Sequence, residues 1–267
     1  MRLLFGALCL CLGLLPLNRA QAEILDLSHP FDSQTIYWPT AEPFELETVS
    51  KGRTEGGYYY EANNYRAAEH GGTHLDAPVH FAEGRWTVEE IPLEHLIGPA
   101  VVVDMSEAAA RDRDAQLMPA DLVAWEQAHG RIPDGCILMV HTGWGGRWPD
   151  KKRYLGTAEK GDVAHLHFPG IHPSAAQWIV DHRRVKVVGI DTPSIDYGQS
   201  RDFRTHVILY EKNIPGLENV ANLEQLPAKG TTVYAIPMNI RGGSGAPCRI
   251  FAVDSRSRSR SRLRSNP

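Results

Sequence analysis

Apolar and polar positions alternate with short periods over the first third of the chain, and with longer spacing beyond it. Residues 24–27 and 36–38 are brief apolar runs, the second ended by Pro39. Residues 44–49 alternate apolar and polar, the mark of a strand with one buried face. Gly56-Gly57 then turns the chain into residues 58–63, read as the partner strand of a hairpin. Residues 100–104 form a compact apolar run that reads as a buried strand. A helix is expected over Pro119–His129, closed by Gly130, with Leu122, Val123 and Trp125 on its buried side. A strand at 137–140 follows. A second helix over Pro173–His182 carries Ala176, Trp178, Ile179 and Val180, and a strand at 185–190 comes next. Residues 231–236 and 250–253 read as late strands. Strands and helices alternating through short connections predict an α/β core with a β-rich N-terminal part.

Three segments stand outside this pattern. Residues 1–22 have a basic start, an apolar run and Ala20-Gln21-Ala22, which reads as a secretory signal cut after Ala22. The chain is therefore expected in the secretory pathway, extracellular or periplasmic. Residues 255–267 repeat Arg and Ser and cannot pack a core, so disorder is expected there. One domain is left, residues 23–254. Within it, residues 145–172 have weak periodicity and many Gly, Lys and aromatic residues, as a lid, a binding loop or a surface insertion would.

Charge and cysteines narrow the function. The two end segments hold seven arginines and no acid, which leaves 21 basic against 32 acidic residues in the body, a net charge of −11. Such a body is a poor partner for nucleic acid or an anionic membrane. Cys9 and Cys11 fall in the leader, and Cys136 and Cys248 remain. Cys136 opens an apolar run, where a buried and unreactive thiol is expected. Neither reads as a nucleophile.

The densest chemistry lies in His70-Gly71-Gly72-Thr73-His74-Leu75-Asp76-Ala77-Pro78-Val79-His80. On a strand rising about 3.3 Å per residue, His74 and Asp76 share one face roughly 6.6 Å apart and reach one ion. An extended chain holds His70 about 13 Å from His74, too far to share that ion. Gly71-Gly72 is the natural place for a bend that returns it. A helix through both glycines would cost about 2 kcal/mol. His70, His74 and Asp76 then form a ligand set that leaves positions open for water, as catalytic zinc or manganese sites do. His80, of the same parity, is a further ligand or the base that moves protons. The base is preferred, because the other three already make a ligand set. His165, His167 and His172 form a looser cluster that reads as a solvated loop. Asp191, at a strand end, either supports the site or caps a turn.

This stretch resembles the pattern His-x-Gly-Thr-His-x-Asp-x-Pro-x-His of the cyclase-like metal hydrolases, a family that includes bacterial kynurenine formamidases and isatin hydrolases. The resemblance implies that His70, His74 and Asp76 bind metal and that His80 gives and takes protons. It also implies a second metal site completed by His206 and Glu218, which stand twelve residues apart, and a tryptophan against the substrate, matched by Trp38 before Pro39. Thr142-Gly143-Trp144 and Gly189-Ile190-Asp191-Thr192 resemble further family segments. The implied fold is an α/β sandwich of the swivelling type, assembled as a dimer or larger. The implied activity is hydrolysis of an aryl amide with one or two Zn²⁺ or Mn²⁺ ions, arylformamidase-type on N-formylkynurenine in tryptophan catabolism. Opening of isatin or another cyclic amide or lactone stays open beside it. The chain is longer than the formamidases, chiefly at residues 145–172, and nearer the isatin hydrolases in length. A secreted binding protein that keeps the fold without catalysis is the reading of another class, but all four central residues are present.

Overall fold

The structure is a computed structural model in which residues 23–254 are described. The leader at 1–22 and the Arg/Ser tail at 255–267 lie outside the described residues. In chain order the strands are β1 (Glu23–Asp26), β2 (Glu45–Arg53), β3 (Tyr59–Arg66), β4 (His74–Asp76), β5 (Ile97–Asp104), β6 (Gln116–Leu117), β7 (Ile137–His141), β8 (Gly170–Ile171), β9 (Val187–Ile190), β10 (Gly216–Glu218), β11 (Lys229–Pro237) and β12 (Gly245–Asp254). The helices are α1 (Ser106–Arg111), α2 (Pro119–His129), α3 (Lys151–Leu155), α4 (Pro173–His182) and α5 (Arg204–Tyr210).

Seven strands close into a barrel in the order β12, β11, β5, β7, β9, β10, β4 and back to β12, with β1 paired further along β12. The steps among β5, β7, β9 and β10 are parallel and the others antiparallel. The fold is thus mixed α/β, as the alternation of elements predicts. Closure leaves no open edge in the ring.

Strand parity sets the layers. Leu75, Ala100, Val102, Ile137, Met139, Leu217 and the β12 residues Ala246, Cys248, Ile250 and Ala252 fill the barrel interior. The alternate residues Val101, Val103, Leu138, Val140, Val188 and Ile190 point outward beneath Leu122, Trp125, Ala176, Ile179 and Leu209 of the helices. Both faces of these strands are buried, which is why 100–104 and 137–140 read as unbroken apolar runs.

Both predicted helices run between the expected residues, each with proline at its first position. On α2, Leu122 and Trp125 are buried but Val123 is 40% exposed, contrary to expectation. One residue on from Leu122, it is turned about 100° away from the core. Residues 36–38 make no strand, only a bridge between Tyr37 and Gly71. Residues 145–172 pack a small core of their own. They contain a 3₁₀ turn at Trp144–Arg147 and α3, and with Ile36 they bury Trp144, Tyr154, Leu155, Leu166 and Phe168. Helix α5 escaped the sequence pattern, because Thr205, Val207 and Ile208 favour strands. The β2–β3 hairpin exists, but the buried face expected of residues 44–49 does not: the hairpin pairs with no other strand among the described residues, and Leu46 and Val49 are 62% and 59% exposed.

Cys136 and Cys248 are free and buried in different clusters. Burial pushes the Cys136 thiol up to about 12, so it is inert at neutral pH. No helix among the described residues is long and apolar enough to cross a membrane.

The layering predicts the response to truncation. Ile137→Ala, inside the barrel, should lower the unfolding free energy by about 2–5 kcal/mol in urea denaturation. Val123→Ala, on the exposed side of α2, should change it by less than about 0.5 kcal/mol.

Candidate metal centre

The register of β4 brings the candidate ligands together. His74 and Asp76 lie two residues apart, on the face opposite Leu75, which packs inside the barrel. On β10, Glu218 stands directly across from His74, while Leu217 pairs with Leu75 inside. The three polar side chains therefore project from the outside of the barrel toward α5. That helix precedes β10 and supplies His206, so the twelve-residue separation is one helix and its return to the sheet.

The glycines make the predicted bend. Gly72 has φ +57°, and a Cβ there would stand 2.6 Å from Phe31 Cζ. At Gly71 a Cβ would meet Tyr37 Cδ1 at 2.0 Å. The turn folds His70 back, so that its Nδ1 lies 2.7 Å from Asp76 Oδ1.

Two three-residue groups result, His70–His74–Asp76 and Asp76–His206–Glu218, each with its donor atoms within 4.8 Å of one another. Asp76 belongs to both. His74 Nε2 is 3.1 Å from Asp76 Oδ1 and 3.4 Å from Glu218 Oε2. His206 Nε2 is 3.2 Å from Glu218 Oε1 and 3.5 Å from Asp76 Oδ2.

The remaining nitrogens are tied elsewhere. His74 Nδ1 donates to the Gly72 carbonyl at 3.0 Å and His206 Nδ1 to Asp196 Oδ2 at 2.6 Å. His70 Nε2 meets Ser244 Oγ at 2.9 Å. These contacts direct His74 and His206 Nε2 inward in the form a cation needs. His74 Nε2 is buried yet makes no hydrogen bond of good geometry, despite its short distances to two carboxylates. A donor aimed into a cluster rather than along a hydrogen bond fits a ligand arranged around a central ion. The residues present fit a divalent metal.

The charge state agrees. Burial alone would lower the His74 pKa, but Asp76 and then Glu218 outweigh it and raise it to about 9. His206, likewise desolvated, is raised well above its ordinary value by Asp196, Asp76 and Glu218. Burial would raise Asp76; instead His70, His206 and His74 hold it far below the usual carboxylate range. Without a cation, protons on the imidazoles neutralise the carboxylates.

A cavity of about 310 Å³ opens above this cluster, lined by Tyr37, Trp38, Phe81, Phe203 and Asn219 besides the ligands. His80 lies in it, its ring stacked on His70 with centroids 3.8 Å apart. Burial, opposed by Asp76, lowers its pKa to about 4, so it is neutral at pH 7. Trp38 stands edge-on to Phe168 and Phe203, at 6.3 and 6.5 Å.

Several site residues escaped the sequence. Tyr210 donates to Asp76 Oδ2 at 2.9 Å, and Asp196 positions His206. Asn219 donates to the Gly72 carbonyl at 2.7 Å. Asp191 accepts from the backbone and hydroxyl of Thr142 and so supports the sheet end. The looser histidines do not cluster. His165 pairs with Asp162, His167 with Asp114, and His172 caps α4.

The sequence profile of the Cyclase family matches residues 25–197. The chain belongs to that family. It is 32% identical to an isatin hydrolase of Roseibium aggregatum, over 91% of this chain and 90% of the relative. It is 27% identical to a kynurenine formamidase of Salinibacter ruber, over 87% and 98%. Among solved structures, isatin hydrolase A from Labrenzia aggregata bound to benzyl benzoate superposes with a TM-score of 0.80 at 32% identity, over 88% of this chain and 94% of that one.

Two outcomes are expected of this centre. Loading metal-free protein with Zn²⁺ in weak buffer at pH 7.5 should release about two protons per chain, and affinity should rise with pH toward 9. Uptake without proton release, read with an indicator dye, would contradict this assignment of charge. Asp196→Asn should weaken metal retention by about 10–100-fold while circular dichroism stays unchanged.

Proposed function

We propose that the chain is a metal-dependent hydrolase of a small aromatic amide, and that cyclic amides of the isatin type are its substrates. The observation carrying this reading is the meeting of two overlapping three-ligand groups with His80 at the foot of an aromatic cavity. His70, His74 and Asp76 would hold one ion, zinc or manganese, and Asp76, His206 and Glu218 could take a second. A divalent cation there supplies polarisation of the amide carbonyl and acidification of water. His80, neutral and facing the cavity, accepts the proton of the attacking water on an imidazole nitrogen and returns it to the departing ring nitrogen. Trp38, Phe81 and Phe203 exclude water and stack on the aromatic ring. Cys136 and Cys248 are walled off, consistent with direct attack by water.

The isatin preference is supported by the 32% identical relative and by the similarity to a crystal structure of an isatin hydrolase bound to the product analogue thioisatinate, with a TM-score of 0.78 at 28% identity. The arylformamidase reading, deformylation of N-formylkynurenine, is supported by the formamidase relative and comes second. The decisive measurement is kcat/KM for isatin and for N-formylkynurenine with Zn²⁺ and with Mn²⁺. His80→Ala should lower kcat by at least about 100-fold on the preferred substrate. Undiminished turnover in that variant, or after metal is stripped, would sink the proposal.

The reading also includes a second copy against the β2–β3 hairpin. Leu46, Val49, Tyr58, Tyr59, Tyr60 and Tyr65 are exposed there, and an isolated hairpin gains little stability of its own. Pairing of two hairpins would cover these apolar side chains. Light scattering should give twice the chain mass, and Leu46→Asp with Val49→Asp should give a monomer.

A further inference from the structure

On another part of the molecule, basic side chains converge on one concavity. Arg113, Arg147, Lys152, Arg153 and His167, with Gly156, line a cavity of about 410 Å³. It shares no lining residue with the cavity over the metal ligands. No carboxylate lines it, although the body of the chain carries a net charge of −11. A solvated surface of that composition would mix signs or favour acids.

Of the nearby acids, Asp114 is held by the lining residue His167 at 2.7 Å and Asp162 by His165 at 3.0 Å, and Glu159 and Asp162 line an adjoining cavity. Among the described residues, none of Arg113, Arg147, Lys152 and Arg153 has a side-chain ion pair to a carboxylate. Like charges gathered in this way repel unless an anion sits between them.

The wall is rigid. The Arg147 guanidinium carbon lies 3.1 Å from the centre of the Trp144 ring, and buried Trp144 donates from Nε1 to the Tyr154 carbonyl at 2.7 Å. Lys152 and Arg153 project from α3, which Tyr154 anchors through its hydroxyl, 3.0 Å from both the Asp191 carbonyl and Asn219 Oδ1. Gly156, at φ +95°, ends the helix where a Cβ would stand 2.5 Å from the His165 carbonyl. Side chains on a fixed frame lose less freedom when they close on a ligand.

We propose that this groove binds the phosphate or sulfate group of a small molecule. Three guanidinium groups and an ammonium suit a compact dianion with several acceptor oxygens, which forked donors contact in pairs. The cavity is larger than one such group, leaving room for an ester.

The test is calorimetric titration of the metal-loaded protein at constant ionic strength, with inorganic phosphate in one arm and glucose 6-phosphate in the other. Saturable binding of one anion per chain is expected. Arg113→Gln with Lys152→Gln, both on exposed side chains, should weaken it by about tenfold or more without changing hydrolysis or melting temperature. Equal affinity in the two arms assigns the groove to the free oxyanion, and tighter binding of the ester assigns it to a phosphorylated metabolite. Binding that never saturates overturns the proposal. So does binding that persists in the double variant or competes with the amide substrate, since both place the anion at the metal centre.

Discussion

Asp76 is the group through which both ligand sets meet, and it is almost wholly removed from water. A carboxylate buried in this way is costly unless its charge and lone pairs are matched. Here His70, His74, His206 and Tyr210 surround it, while Glu218 and Asp196 bring two more buried acids close by. Backbone donors take part of the load: Ile195 N–H donates to Glu218 Oε1, and Thr205 and His206 N–H to the Asp196 carboxylate. The remaining charge must be met by protons or by a cation. The whole cluster is therefore suited to exchange protons for metal.

The barrel makes that geometry possible at small cost in structure. β4 has only three residues, yet it is paired on both edges, with β10 on one side and β12 on the other. Leu75 faces the apolar interior, so a slip of one residue would bury His74 and Asp76 among hydrocarbon and expose Leu75. Register and burial thus enforce each other. Because Glu218 is paired across from His74, the same constraint fixes a ligand more than 140 residues away in the chain.

Much of this was legible in the sequence, for local reasons. The His74–Asp76 spacing states a shared strand face, and the paired glycines state a bend that returns His70. Helices α2 and α4 announce themselves by proline at the start, and α2 also by Gly130 at its end. His206 and Glu218 were reached only through resemblance, since nothing local in either residue points to the other. Tyr210, Asp196, Ser244 and Asn219 gave no signal, because each acts through a contact made by tertiary packing. The 145–172 segment misled for a related reason. Its aromatic residues are irregularly spaced, and they are buried against Ile36 rather than arranged along one helix face or strand.

That segment backs one wall of the cavity. On the proposed reading, the candidate ligands and His80 would act on a carbonyl and a proton, features that a formamide and a cyclic amide share. Discrimination must therefore come from the walls of the cavity, where shape decides which ring fits beside the carbonyl. Trp38 forms one wall, and Phe168 backs it from the buried segment while Phe203 stands at its other side. Phe203 takes a left-handed backbone at φ 48°, unusual for a bulky residue, and it leads directly into the helix that carries His206. The wall and the ligand are thus joined by one residue. Phe203 and His206 stand three residues apart at the start of one helix, so the shape of the wall and the place of that imidazole are set by the same stretch of backbone.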